Sequence, residues 1–96
     1  MSAGESLSEP QFRSTKDIGY LESRDYPGNI GSLKFRPGGE SDQRVKEIMK
    51  TARTEGIREP ITIKGTGGRS WLHDGHHRYV AAKRLRIDVP VRDERP

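Results

Sequence analysis

His73-Asp74-Gly75-His76-His77-Arg78-Tyr79 holds the densest run of chemistry-bearing side chains in this sequence. It lies where an expected strand ends and an expected helix begins. The first turn of a helix has unpaired amides and the positive end of the macrodipole, so it favours an anion. Gly75 lets the backbone turn sharply and approach a ligand closely. His76, His77 and Arg78 add donors at the same end, and Arg78 can hold a phosphate in a planar two-pronged fork. His76 and His77 are the candidate acid/base residues, because imidazole titrates near neutral pH. Asp74 can orient a histidine, accept from a ribose hydroxyl, or hold a metal together with His76.

Structural roles compete with each of these. Asp74 is a good helix cap. His76 and His77 are adjacent and project about 100° apart on a helix, so at least one packs or faces solvent. Arg78 can instead pair with Asp74 or Glu59. Cations at a helix N-terminus oppose the dipole by some tenths of a kcal/mol each, and a bound phosphate would reverse that sign.

The elements that must position these residues are legible from spacing. Ser41 or Asp42 caps a helix on which Val45, Ile48, Met49 and Ala52 form one apolar face. Thr54-Glu55-Gly56 stops it, and Pro60 drives Glu59 toward an extended conformation. Ile61-Thr62-Ile63 alternates as a strand, Gly65-Thr66-Gly67-Gly68 turns, and Ser70-Trp71-Leu72-His73 returns. That makes a hairpin over 61–73 with a loop longer than the tightest type. Trp71 is expected in the core. A second helix runs from about His76 to Leu85, with Tyr79 packing beside the site. Val89-Pro90-Val91 then makes a short strand, its proline suggesting a sheet edge. Upstream, Leu33-Lys34-Phe35 alternates as a further short strand.

Composition bounds the rest. The chain has 96 residues, 18 Lys+Arg against 14 Asp+Glu, and a net charge of +4. Only 29% of residues are hydrophobic, and there are 11 glycines and 6 prolines. An ordinary domain is about 45–50% apolar on a slightly different residue set, so a core spanning the whole chain is not expected. Residues 1–31 read as an irregular or partner-ordered arm, with Leu7, Phe12, Ile18, Leu21 and Ile30 isolated; Tyr20 and Tyr26 within it, and Phe35 in the Gly-, Ser- and Pro-rich stretch that continues to residue 41, are candidate anchors. Absence of cysteine excludes disulfides, thiolate zinc sites and a cysteine nucleophile. No apolar run approaches the roughly 20 residues of a membrane helix, and the start is not a secretory signal, so a cytoplasmic protein with no membrane partner is expected. Gly65-Thr66-Gly67-Gly68 lacks the lysine and following helix of a phosphate loop.

Glu55-Gly56-Ile57-Arg58-Glu59-Pro60-Ile61-Thr62-Ile63 resembles the box G-[IL]-x-x-P-[IL]-x-[VI] of the ParB/sulfiredoxin-like superfamily. Asp74-Gly75-His76-His77-Arg78-Tyr79-Val80-Ala81-Ala82 resembles its second box. That box reads G-E-R-R-x-x-A in chromosome-partitioning ParB proteins, G-C-H-R-Y in sulfiredoxins and D-G-x-H-R in many ParB-like nuclease domains. Leu85 to Val91 is similar to the ending L-G-x-x-x-[IV]-P-V. The resemblance implies an α+β fold, a small ParB/sulfiredoxin-like domain with a mixed sheet and two main helices over residues 32–92, preceded by the arm and followed by a tail at 93–96. It also implies a nucleotide or phosphate pocket. In it Gly75, His77 and Arg78 match the G-x-H-R phosphate contacts, and Glu59-Pro60 sits where the first box approaches the nucleotide. The sulfiredoxin cysteine position is His76, so thiol chemistry does not carry over. The ParB glutamate and first arginine are His76 and His77, and a later arginine is Val80.

Three functions follow as expectations. The first is a nucleotide- or phosphate-binding domain that hydrolyses a phosphoanhydride or phosphodiester with a divalent metal such as magnesium or manganese. His76 and His77 would be catalytic, and Glu59, Pro60, Asp74, Gly75, His77 and Arg78 would hold the ligand. The second is a metal-dependent DNA or RNA nuclease, with Asp74 and His76 on the metal and Lys83, Arg84, Arg86, Arg92 and Arg95 on the nucleic-acid backbone. The third is a non-enzymatic accessory protein of phage type that binds a host protein through residues 1–31.

Overall fold

A computed structural model describes residues 10–96. Five strands and two helices alternate along them: β1 (Gln11–Arg13), β2 (Glu22–Ser23), α1 (Glu40–Glu55), β3 (Ile61–Thr66), β4 (Arg69–Asp74), α2 (His76–Leu85) and β5 (Val89–Asp93). A short 3-10 turn at Ile30–Ser32 precedes α1.

The strands form one mixed sheet in the order β1-β5-β3-β4-β2. Outer β1 runs antiparallel to β5, and β5 runs parallel to β3. β3 and β4 are an antiparallel hairpin, and β2 runs parallel to β4. Thr66 pairs with Arg69, so the connection is the two residues Gly67 and Gly68, tighter than the sequence suggested. Their φ values of 58° and 83° are the left-handed pair that matches the strand twist.

α1 and α2 pack against each other over the sheet. Val45 and Ala52 of α1 are buried, with Ile48 and Met49 packed against the same core. The residue that opens α1 is Gly39, not Ser41 or Asp42. Asp42 acts one turn in, where its Oδ2 accepts the Gly38 amide at 2.9 Å. From α2 come Tyr79, Val80, Ala81 and Ala82, and from the sheet Ile61, Ile63, Leu72, Val89 and Val91.

Several sequence expectations are corrected here. The boundary placed at residue 32 falls inside the packed structure, because Ile18, Leu21 and Ile30 all reach the core and residues 11–13 and 22–23 add both outer strands. Isolated apolar residues carry no periodic signal, yet Ile18, Leu21 and Ile30 join the core cluster, while Phe12 is exposed. Leu7 lies outside the described residues. Leu33 to Phe35 is not a strand but a connecting segment whose Leu33 and Phe35 lean on the core. Trp71 is only half-buried. Side chains alternate across a strand, and fully buried Leu72 takes the core-facing position, so its neighbour faces the other way. Pro90 is not at the edge, because β1 pairs outside it, with Phe12 opposite Pro90. The tail also continues the sheet contacts: the Glu94 amide donates to Ile63 at 2.8 Å, and Arg95 bonds Asp93, Tyr20 and Ser70.

Among the described residues no helix is long and apolar enough to cross a membrane.

Candidate functional site

The site is built on the junction between β4 and α2. Gly75 opens α2 with φ 100°, a left-handed conformation. A Cβ there would lie 2.6 Å from Ile61 Cγ2, so this position needs glycine both for its dihedral and for its contact with β3. No side chain caps the helix. The first-turn amides of His76, His77 and Arg78 precede the first intrahelical bond, which runs from the Tyr79 amide to the Gly75 carbonyl at 2.9 Å. These residues line a cleft of about 790 Å³, bounded by α1 and by the loop carrying Asp25 and Tyr26.

The three cationic-type side chains do not converge as the sequence suggested. Arg78 turns to the carboxylates, 3.0 Å from Glu59 and 3.7 Å from Asp74. His77 turns toward α1. Its Nε2 lies 3.1 Å from Ser41 Oγ and its ring stacks on Phe35 at 5.1 Å. His76 is 4% exposed and points toward the β2 loop, with Nε2 2.7 Å from Ser23 Oγ. Its Nδ1 lies 3.6 Å from Asp25 Oδ2, and Tyr26 packs edge-on against the ring. The first turn of an α-helix fans side chains outward, so consecutive residues reach three different walls.

Electrostatics follow from these surroundings. Burial holds the His76 imidazolium below its ordinary range, partly offset by Asp25. His77 is lowered by burial and by the charges of Arg44 and Arg78. Both rings are therefore neutral at neutral pH. Around the cleft, Asp25, Glu47, Glu55, Glu59 and Asp74 outnumber Arg44, Arg58 and Arg78. Positive charge in the cleft thus resides in the three arginines and the positive end of α2, within walls that carry more carboxylates than arginines.

Glu59, Asp74, Gly75, His76, His77 and Arg78 all line the cleft, while Pro60 sits behind Glu59, outside that lining. The pairing of Asp74 and His76 as metal ligands does not fit. Asp74 faces Arg78, His76 is engaged by Ser23 and Asp25, and no group of three or more ligating side chains exists among the described residues. The expected nucleic-acid cations are also partly consumed. Arg84 pairs with buried Asp42 at 2.7 Å, Lys83 donates to the Gly31 carbonyl, and Arg95 pairs with Asp93. Sequence reasoning missed Ser23, Asp25 and Arg44. The only local signal was the turn-rich composition of 23–28, which marks a tight loop but not what it touches.

No family model matches the chain, and no curated protein does. Among solved structures it is similar to sulfiredoxin from Arabidopsis thaliana, with a TM-score of 0.61 and 17% identity over 91% of this chain and 85% of that one. At that identity the likeness concerns architecture: this chain has the ParB/sulfiredoxin-like fold, an α+β domain with a mixed sheet and two main helices.

Proposed function

We propose that this chain binds a phosphorylated small molecule, a nucleotide foremost, with a phosphate seated on the open N-terminus of α2. The observation that supports this reading is the first turn of α2, which no side chain caps and whose residues Gly75 to Arg78 line the cleft. Free amides and the positive end of the helix suit a phosphate without any metal. Arg78 supplies the charge. Its partner Glu59 is 82% exposed, and such surface pairs contribute only about 0–1 kcal/mol, so a doubly charged phosphate can displace the carboxylate at small cost. Neutral His77, held against Ser41, can donate to a phosphate oxygen or exchange a proton with it.

The test is a thermal-shift panel of nucleoside di- and triphosphates and pyrophosphate, with and without magnesium or manganese, on the wild type and on Arg78→Ala. A ligand at 100 times its Kd stabilises by about 2.7 kcal/mol. A domain of this size then melts roughly 10–20 °C higher. Arg78→Ala should lose most of that shift. If no nucleotide and no pyrophosphate moves the melting temperature of the wild type, the reading is wrong. Hydrolysis is a separate step, read as phosphate released by the wild type and lost in His77→Ala.

A further inference from the structure

The loop that gives the cleft Asp25 and Tyr26 hangs on one oxygen. Pro27 has no amide, so the tip of the loop has two backbone donors, Asp25 and Tyr26. Both go to Ser23 Oγ, at 3.2 Å and 2.9 Å. With both lone pairs of that oxygen engaged, its own proton has one destination, His76 Nε2 at 2.7 Å. The tautomer follows: Nε2 is a bare acceptor, and Nδ1 carries the proton, 3.6 Å from Asp25 Oδ2. The ring is buried and lies edge-on to Tyr26, with centroids 5.4 Å apart.

We infer that His76 is a pH-sensitive latch: when Nε2 takes up a proton, the loop tip carrying Asp25 and Tyr26 is released from Ser23, and that wall of the cleft swings free. The reason is a count of donors. A protonated ring has N–H at both nitrogens, so Nε2 turns from acceptor to donor. Ser23 Oγ then faces three donors, the ring and the two amides, with two lone pairs to offer. At least one amide bond must break. The amide left over goes to water, which the loop reaches by lifting off: Asp25, Pro27, Gly28 and Asn29 are already exposed, and Tyr26 is half-buried. The charged and titratable groups around the ring divide. Asp25 from the loop and Asp74 from the end of β4 favour the charged ring, whereas Arg24 from the loop and His77 on α2 oppose it, and burial opposes it most. The ring thus stays neutral while the loop is closed, and takes a proton more readily once the loop is open and water reaches it. By linkage, acid shifts the loop toward its open form.

The test follows the full chain by NMR and amide hydrogen exchange between about pH 7.5 and 5, with no ligand present. At the upper end, the ring-nitrogen chemical shifts of His76 should show Nε2 bare and Nδ1 protonated. Exchange of the Tyr26 amide, corrected for its intrinsic rate, should speed up by about tenfold for each pH unit below about 6.5, until the ring protonates in the closed loop as well. The Tyr79 amide, bonded to the Gly75 carbonyl inside α2, should keep its protection. In His76→Gln the side-chain carbonyl can accept the Ser23 proton at any pH, so Tyr26 protection should no longer depend on pH. In Ser23→Ala the Tyr26 amide should exchange fast throughout. The proposal is overturned by a neutral ring protonated on Nε2, by Tyr26 protection that stays constant in the wild type, by the same acid loss in His76→Gln, by slow exchange in Ser23→Ala, or by a parallel loss at Tyr79. The wild-type measurements decide it alone should either variant fail to fold. Because no nucleotide or phosphate is present, the outcome is independent of the phosphate reading.

Discussion

Replacing Gly75 with alanine measures how closely α2 is pressed onto β3. Two costs are expected. An L-residue at φ 100° loses about 1–2 kcal/mol relative to its favoured conformations. The new methyl also meets Ile61 Cγ2 at 2.6 Å, its Cβ at 3.0 Å and its Cα at 3.1 Å. Backbone and a β-branched stem cannot swing aside, so this overpacking adds about 1–3 kcal/mol. Gly38→Ala isolates the first cost. Gly38 also has a positive φ, 77°, but nothing lies within 4 Å of a Cβ built there. The assay is urea unfolding followed by Trp71 fluorescence and circular dichroism, with midpoints compared at constant slope. Gly38→Ala should lose about 1 kcal/mol and Gly75→Ala about 2–5 kcal/mol, which separates the melting temperatures by at least several degrees. Equal losses in the two variants would show that α2 does not sit against Ile61 as described.

Two further outcomes test other parts of the structure. The Asp42 carboxyl is pulled down to about 2, first by the Gly38 amide and then by Arg84 and Lys46. A carboxylate lowered in the folded state stabilises fully above its unfolded pKa near 4 and loses that contribution as pH falls toward 2. Thermal melts between those limits should therefore fall more steeply for the wild type than for Asp42→Asn. The Tyr79 hydroxyl donates to the Thr15 carbonyl at 2.9 Å in a buried setting, joining α2 to the N-terminal segment. Tyr79→Phe should cost about 1–3 kcal/mol in urea unfolding and expose the 14–20 loop to proteolysis, whereas an unchanged midpoint would mean that water replaces the bond.

By itself the sequence determined the elements whose signals are short-range. The α1 stripe of Val45, Ile48, Met49 and Ala52, the β3–β4 hairpin and the start of α2 at His76 all follow from periodicity, glycine and proline within a dozen residues. The helix N-terminus on which the candidate site is built follows in the same way from Gly75 and the residues after it. Tertiary structure decided which way those side chains point and what they meet. Arg78 meets Glu59 across 19 residues, His77 meets Ser41 across 36, and His76 meets Ser23 across 53. No spacing rule links such pairs. They form because the sheet order sets β2 beside β4 and Leu21 and Ile30 are buried in the same core as the two helices. Residues 10–31 show the same division. Their sparse apolar residues are too few to declare an element, and only burial in the core shared with α1, α2 and the sheet makes Ile18, Leu21 and Ile30 part of the fold.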